Sequence, residues 1–309
     1  MTRFNTPIII IGGPTASGKS GLAMDIAEQL NGEIINADSV QVYRHFNIGT
    51  AKPTKEDMAR VPHHLFDLVE PHEHFDGSLF VKAADAAIQD IHARGKLPVV
   101  VGGTGMYITF LLFGLSPSPP RDHDLRETLQ QRGETEGAEV LYAELKAVDP
   151  QYAAKISPKD LHRIVRALEV YHLTGEPLSV QHARHDKTPR YPYLAWMPAH
   201  DRETLYQRIN DRVSVMIQQG FEAEVRQLMQ DETIATARPM ESLGYTQMAA
   251  YVCGECTLEQ AMEDTRQQTR KYAKRQLTWF RRQIPGMQET AYPPLSPKVL
   301  EDIRTFVGQ

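Results

Sequence analysis

Cysteine is almost absent from this 309-residue chain, which has only Cys253 and Cys256. So few thiols fit a reducing compartment. Long apolar runs are missing too. No stretch reaches the roughly 18 apolar residues that a membrane span requires, so no span is expected. The N-terminus MTRFNTPIII lacks a basic stretch, a long apolar stretch and a small-residue cleavage site, which argues against secretion. The cytoplasm is therefore the expected compartment. Internal repeats and low-complexity tracts are absent as well. Net positive charge is lacking: the formal charge is −5, which taken alone argues against a nucleic-acid partner. What is present is 41% hydrophobic and 24% charged, an ordinary globular composition with ample material for a core. The length suits one core with an insertion, or two domains.

The average charge hides an asymmetry. RQQTRKYAKRQLTWFRR, from Arg266 to Arg282, holds seven Lys or Arg and no acid. Such a run is most often a solvated helix face, but the interleaved Tyr272, Trp279 and Phe280 also suit RNA. The first third reads as strand–helix units. PIIII is a buried strand, GPTASGKS a turn, and GLAMDIAEQL a helix closed by a left-handed cap at Asn31-Gly32. EIINADS and KLPVVVGGTG are further strands around a helix at 78–94, with Ser78 as its N-cap. This alternation predicts an α/β fold with a doubly wound parallel sheet, which binds ligands beyond the carboxyl ends of its strands. LSPSPPRDHD at 115–124 and DKTPRYP at 186–192 are breaks bounding a helical stretch, and YLAWMPA then resumes as a strand. The expected organisation is an α/β core over 1–118 and 193–285 with a helical insertion domain at 119–192. Helices are expected at 201–231, 240–252 and 257–282, and a proline-rich tail of low structural content at 286–309.

GPTASGKS, from Gly13 to Ser20, matches the phosphate-loop spelling at every defined position, between a strand and a helix. The loop of Gly13, Pro14, Thr15, Ala16, Ser17 and Gly18 supplies an anion site through its backbone N–H groups, proline alone lacking one, while Lys19 neutralises phosphate oxygens and Ser20 helps to hold Mg²⁺. A nucleotide hydrolase or kinase of this class carries an acid at the end of an apolar strand. Here that strand ends VVVGGTG, with glycines in the acid's place. The acid left at the sheet edge is Asp38, placed as a general base facing an acceptor, or alternatively as a turn carboxylate before Ser39. Together they describe group transfer to an acceptor rather than hydrolysis.

The segments GPTASGKS, ADSVQVYRHFNIGTAKP, VPHHLFDLV, VVGGTGMYI, HRIVRALEVY, ESLGYTQM and YAKRQLTWFR, in this order, closely resemble the tRNA dimethylallyltransferase (tRNA isopentenyltransferase) family. The resemblance runs from residue 8 to about 285 and rests on no single motif. It implies a P-loop NTPase-like core. It also implies transfer of a dimethylallyl group from dimethylallyl diphosphate to the exocyclic amine of the adenosine just 3′ of the anticodon in tRNA. The phosphate loop would then hold a departing diphosphate, with Thr15 bonded to the oxygen that joins it to the allyl carbon and Mg²⁺ bound at Ser20. Asp38 would take the amine proton, and the target base would be flipped into the site. Ser39, Val40, Gln41 and Thr104 match positions near the flipped base or tRNA, as do Arg126, His162, Arg163 and Arg166 in the insertion. Lys274, Arg275 and Gln276 lie in the basic stretch used on the anticodon stem-loop. Arg212 aligns best as the diphosphate arginine, with Arg208 second.

Two positions depart from the family pattern. Thr246 follows the Gly-Tyr pair where Arg or Lys is common, and Met106 replaces a commoner Leu at similar volume. Other features read as structural. Cys253 and Cys256 lack a second pair for zinc, the histidines at 63, 64, 72 and 74 lack a cysteine partner, and Met216, Met229 and Met248 suit a core. Three rivals share the phosphate loop. An adenylate isopentenyltransferase would not need the insertion or the basic helix. A small-molecule kinase would need the missing acid, and an RNA-binding module would not keep Lys19, Ser20 and Asp38 intact. A monomer is the default.

Overall fold

The computed structural model describes residues 2–116 and 118–308. Met1, Gln309 and Pro117, which falls in the break expected at 115–124, lie outside the described residues. The chain divides into two compact units, residues 1–112 with 189–309, and residues 113–188.

The first unit is built on a sheet of β1 (Ile8–Gly12), β2 (Gly32–Asn36), β3 (His63–His64), β4 (Leu97–Gly102), β5 (Tyr193–Pro198) and β6 (Met287–Thr290). Every pairing is parallel and the order is β3-β2-β4-β1-β5-β6. Parallel strands covered on both faces need apolar residues at consecutive positions, not alternate ones. Ile8 to Ile11 meet that requirement, each with no exposed surface. Crossing from β1 to either side reverses the direction of winding, so the phosphate loop that follows β1 opens at the switch point of the sheet. The expected α/β, doubly wound parallel sheet is thus the observed fold.

The helix after the loop runs Lys19–Gln29, and Asn31 turns the chain into β2 with φ 50°. The helix expected at 78–94 begins at Gly77, because Asp76 rather than Ser78 caps it, accepting the N–H groups of Ser78 and Leu79. The single helix expected at 201–231 is broken. Gly220, with φ 96°, separates Arg202–Gln218 from Phe221–Leu228. The tail is the largest correction. Instead of low structural content, residues 286–309 hold β6 and a helix at Pro297–Val307. Pro297 sits in the first turn, where its missing N–H costs nothing. Val299 and Ile303 from that helix bury against Leu22 and Ile26 of the phosphate-loop helix. No helix among the described residues is long and apolar enough to cross a membrane.

The second unit is helical, with Leu129, Leu141, Leu145, Ile164 and Leu168 at its centre. Its longest helices are His123–Thr135, Ala138–Val148 and Leu161–Thr174. The compact unit begins and ends a few residues before the expected 119–192.

Candidate active site

The phosphate loop takes its shape from residues that tolerate unusual backbone angles. Gly18 has φ 90° immediately before Lys19 opens the helix, so the helix N-terminus and its N–H groups face the loop. A cavity of about 740 Å³ adjoins it, and Thr15, Lys19, Ser20, Asp38, Arg212 and Tyr272 stand on its wall. Burial pushes the Lys19 ammonium down to about 8, with the positive charge of Arg212 adding to the effect and Asp38 opposing it. Burial also lowers the Arg212 guanidinium, again opposed by Asp38. Two cations held close together in a poorly solvated site are poised for a polyanion. Burial, with Asp38 second, pushes the Tyr272 hydroxyl up to about 12, so it stays protonated and can donate. Arg208, the second candidate for the diphosphate, instead donates from Nε to the Ala16 carbonyl at 2.8 Å and braces the loop from outside.

Asp38 lies just past the carboxyl end of β2, whose neighbour β4 carries the GGTG segment. Asn36 Oδ1 accepts the Asp38 N–H at 3.0 Å, and Asp38 Oδ1 accepts from Val40 at 2.9 Å and Gln41 at 3.3 Å. The turn-carboxylate role and the cavity role therefore coexist. Oδ1 is committed to the turn, and Oδ2 has no hydrogen bond among the described residues. Thr104 Oγ1 accepts the Ser39 N–H at 3.0 Å and donates to Ser39 Oγ at 3.2 Å, which ties the two candidate acceptor-side segments together. Gln41 Nε2 donates to the carbonyls of Thr50 at 2.9 Å and Ala51 at 3.1 Å.

The basic helix runs Leu258–Gln283, and its buried stripe is Ala261, Thr265, Thr269, Ala273, Gln276 and Phe280. Lys274 and Arg275 are exposed, whereas Gln276 turns inward. Its Oε1 accepts the Thr15 N–H at 2.9 Å and its Nε2 donates to the Gly103 carbonyl at 2.9 Å. Gln276 thus clamps the phosphate loop to the GGTG segment. A Cβ at position 103 would sit 2.5 Å from that Nε2, so only glycine admits the clamp. The helical period of the apolar residues around it is the sequence signal for this inward direction. Grouping Gln276 with its basic neighbours conceals it.

In the helical unit, His162 and Arg163 are exposed. Arg126 and Arg166 turn onto Glu169, which has no exposed surface, at 3.2 and 2.9 Å. Their charges are largely spent on satisfying a buried carboxylate.

Mg²⁺ binds through a few oxygens plus substrate phosphates and keeps several waters. Ser20, exposed at the helix N-terminus beside Lys19, fits that sparse requirement. No cluster of three or more His, Cys, Asp or Glu side chains able to hold a metal occurs among the described residues.

Comparison with known proteins matches the IPP transferase family over residues 41–283 and an isopentenyl transferase family over residues 6–66. The chain is 49% identical to a tRNA dimethylallyltransferase of Geobacter metallireducens over 278 residues, 90% of each chain. It is 47% identical to tRNA dimethylallyltransferase 1 of Trichlorobacter lovleyi over 300 residues, 97% of this chain and 98% of that one. Among solved structures it is similar to a eukaryotic dimethylallyltransferase acting on tRNA, with TM-score 0.84, 28% identity and coverage of 98% and 80%. The tRNA isopentenylpyrophosphate transferase of Bacillus halodurans gives TM-score 0.71 at 36% identity, covering 98% and 96%.

Proposed function

The chain belongs to the IPP transferase family and acts as a tRNA dimethylallyltransferase, and on that premise we propose how its own residues carry the transfer. The observation that carries the reading is that Lys19, Arg212 and Asp38 share the wall of one cavity. In this reading the two cations and the loop N–H groups bind the diphosphate of dimethylallyl diphosphate. They stabilise it most as it leaves carbon and its charge grows. Thr15 donates to the bridging oxygen. Mg²⁺, held at Ser20 with diphosphate oxygens, would supply further charge neutralisation.

The acceptor is the exocyclic amine of the adenosine just 3′ of the anticodon. Its lone pair is delocalised into the ring, so it attacks carbon only as its proton departs. Asp38 Oδ2 takes that proton, while Oδ1 keeps the turn. Ser39, Val40, Gln41 and Thr104 receive the flipped base and its neighbours. Lys274 and Arg275 meet the backbone of the anticodon stem-loop, and in the helical unit His162 and Arg163 offer phosphate contacts of their own. Arg126 and Arg166 support that surface through Glu169. The scarcity of cysteine in the sequence suits a reducing, cytoplasmic setting, and we take the working form to be a monomer.

The test incubates the protein with labelled dimethylallyl diphosphate, Mg²⁺ and either tRNA or AMP. Label is expected in tRNA alone. Label confined to AMP would replace tRNA by a free nucleotide as acceptor, and no label in either would remove prenyl transfer.

A further inference from the structure

Glu224 lies on the helix Phe221–Leu228 and is not part of the cavity wall described above. Its Oε2 accepts the backbone N–H groups of Asn47 at 3.1 Å and Ile48 at 2.8 Å. Its Oε1 accepts the N–H of Gly49 at 3.2 Å and the hydroxyl of Tyr245 at 2.6 Å. Three successive N–H groups converging on one anion make a nest. Here the anion is a side chain of the protein itself.

The residue that follows the nest reaches the active site. The Thr50 carbonyl accepts from Gln41 Nε2 at 2.9 Å and from Arg212 Nη2 at 3.4 Å. The loop is therefore gripped on one side by Glu224 and on the other by two side chains of the cavity wall. Packing closes the grip. Tyr245, 1% exposed, lies edge-on to Phe221 at 5.0 Å and tilted against Phe46 at 4.8 Å. Any side chain at position 49 would collide with the rings of Phe221 and Tyr245. The Gly-Tyr pair of the ESLGYTQM segment acquires a reason: Gly244, with φ 95°, makes the turn that presents Tyr245 to Glu224.

We propose that Glu224 is a positioning residue for prenyl transfer, fixing residues 47–49 so that the Thr50 carbonyl holds Arg212 in place. This rests on the reading of Arg212 as a diphosphate ligand. Three charge-assisted hydrogen bonds from the loop, with a fourth from Tyr245 holding the carboxylate, order the loop more tightly than van der Waals packing alone. A small displacement of the loop would move the guanidinium it supports, and catalytic groups tolerate only about 0.5 Å of such error.

The experiment combines Glu224→Gln and the milder Tyr245→Phe with Arg212→Ala in double-mutant cycles, read by single-turnover prenylation of tRNA. Glutamine keeps the length but puts an NH₂ where an oxygen must accept. Glu224→Gln is expected to lower kcat/KM for dimethylallyl diphosphate on the order of 10- to 100-fold, the range seen when a group that orients a ligand-binding residue is removed. The KM for tRNA should stay within about twofold, and amide exchange at residues 47–49 should accelerate. In the Arg212→Ala background the kinetic losses from Glu224→Gln and Tyr245→Phe should nearly vanish, since Glu224 acts through that arginine, whereas the amide exchange should still accelerate. Equal losses with and without Arg212 would overturn the proposal. So would unchanged donor kinetics in a variant whose amides have lost protection. Should Glu224→Gln fail to fold, Tyr245→Phe carries the same cycle. Wild-type protein in the same assay separates the two readings, because its failure to label tRNA would remove the transfer itself rather than the role of Glu224.

Discussion

At the scale of the residue, a carboxylate can cap a turn and accept a proton if its two oxygens divide the tasks. Asp38 commits Oδ1 to the N–H groups of Val40 and Gln41, which leaves Oδ2 for the proton transfer proposed above. The division makes asparagine the informative substitution. Asp38→Asn keeps an acceptor for the turn but cannot take a proton. We expect kcat to fall ~10²- to 10⁴-fold, the usual size of a general-base contribution. Affinity for tRNA and the melting temperature should hold. Rapid prenylation by Asp38→Asn in a rapid-quench assay would remove Asp38 as the base. Gln276 is a second residue whose role depends on both ends of its side chain. Gln276→Leu leaves the Thr15 N–H and the Gly103 carbonyl without partners. Each buried unpaired group costs about 1–3 kcal/mol. Urea denaturation should show that loss, and the donor KM should rise because Thr15 belongs to the phosphate loop. An unchanged donor KM beside reduced stability would confine Gln276 to the fold.

At the scale of the element, β3 is too short to hold itself in the sheet, having only His63 and His64. An ion cluster on its neighbour compensates. Glu33 of β2, 1% exposed, receives Arg94, Lys96 at 3.2 Å and His64 at 2.7 Å. The hydrogen bond from Arg94, the largest cause, holds its carboxyl down at about 2 against an ordinary glutamate value of 4.5. A depressed acid stabilises the fold fully above its unfolded value and loses that contribution as pH falls through the folded one. Glu33→Gln should therefore be less stable than the parent at pH 7, and the gap should close between pH 4.5 and 2 in urea melts. A gap that persists at pH 2 would assign the loss to packing. The same cluster shows what the sequence conceals. β1, β4 and β5 were legible as runs of consecutive apolar residues beside a turn signal, and β2 from Ile34-Ile35 just after the turn at Asn31-Gly32. β3 has no such run, and its place is set by pairing with β2 and by the contact of His64 with Glu33, 31 residues away. β6 and the helix Pro297–Val307 were hidden by prolines that read as breaks, although Pro297 begins a helix. The phosphate loop and Asp38 were legible from local spelling. The clamp of Gln276 and the nest on Glu224 were not, because each joins segments more than 170 residues apart.

At the scale of the whole molecule, a chain of net charge −5 must bind a polyanion. Screening reconciles the two. At physiological ionic strength the Debye length is about 8 Å, so a tRNA phosphate feels the nearest side chains and not the sum over the chain. The helix Leu258–Gln283 buries Thr269, Ala273, Gln276 and Phe280, which leaves Lys271, Lys274, Arg275 and Arg282 exposed. Not every basic residue on it is available. Arg270 pairs with Glu263 at 2.9 Å and Arg281 with Glu289 at 2.7 Å. Lys274 and Arg275 have no carboxylate partner among the described residues, although Arg275 lies over the Tyr272 ring at 5.6 Å. Releasing a counterion from RNA gives each phosphate contact a share of the salt dependence. Lys274→Ala and Arg275→Ala should each weaken tRNA binding and reduce the slope of log affinity against log salt by about 1. Arg281→Ala should change the slope less, because its charge is already met by Glu289. Fluorescence anisotropy with labelled tRNA across a KCl series measures all three. If the slopes for Lys274→Ala and Arg275→Ala match that of the parent, the helix is not the face that meets the anticodon stem. The cation surface would then have to lie elsewhere.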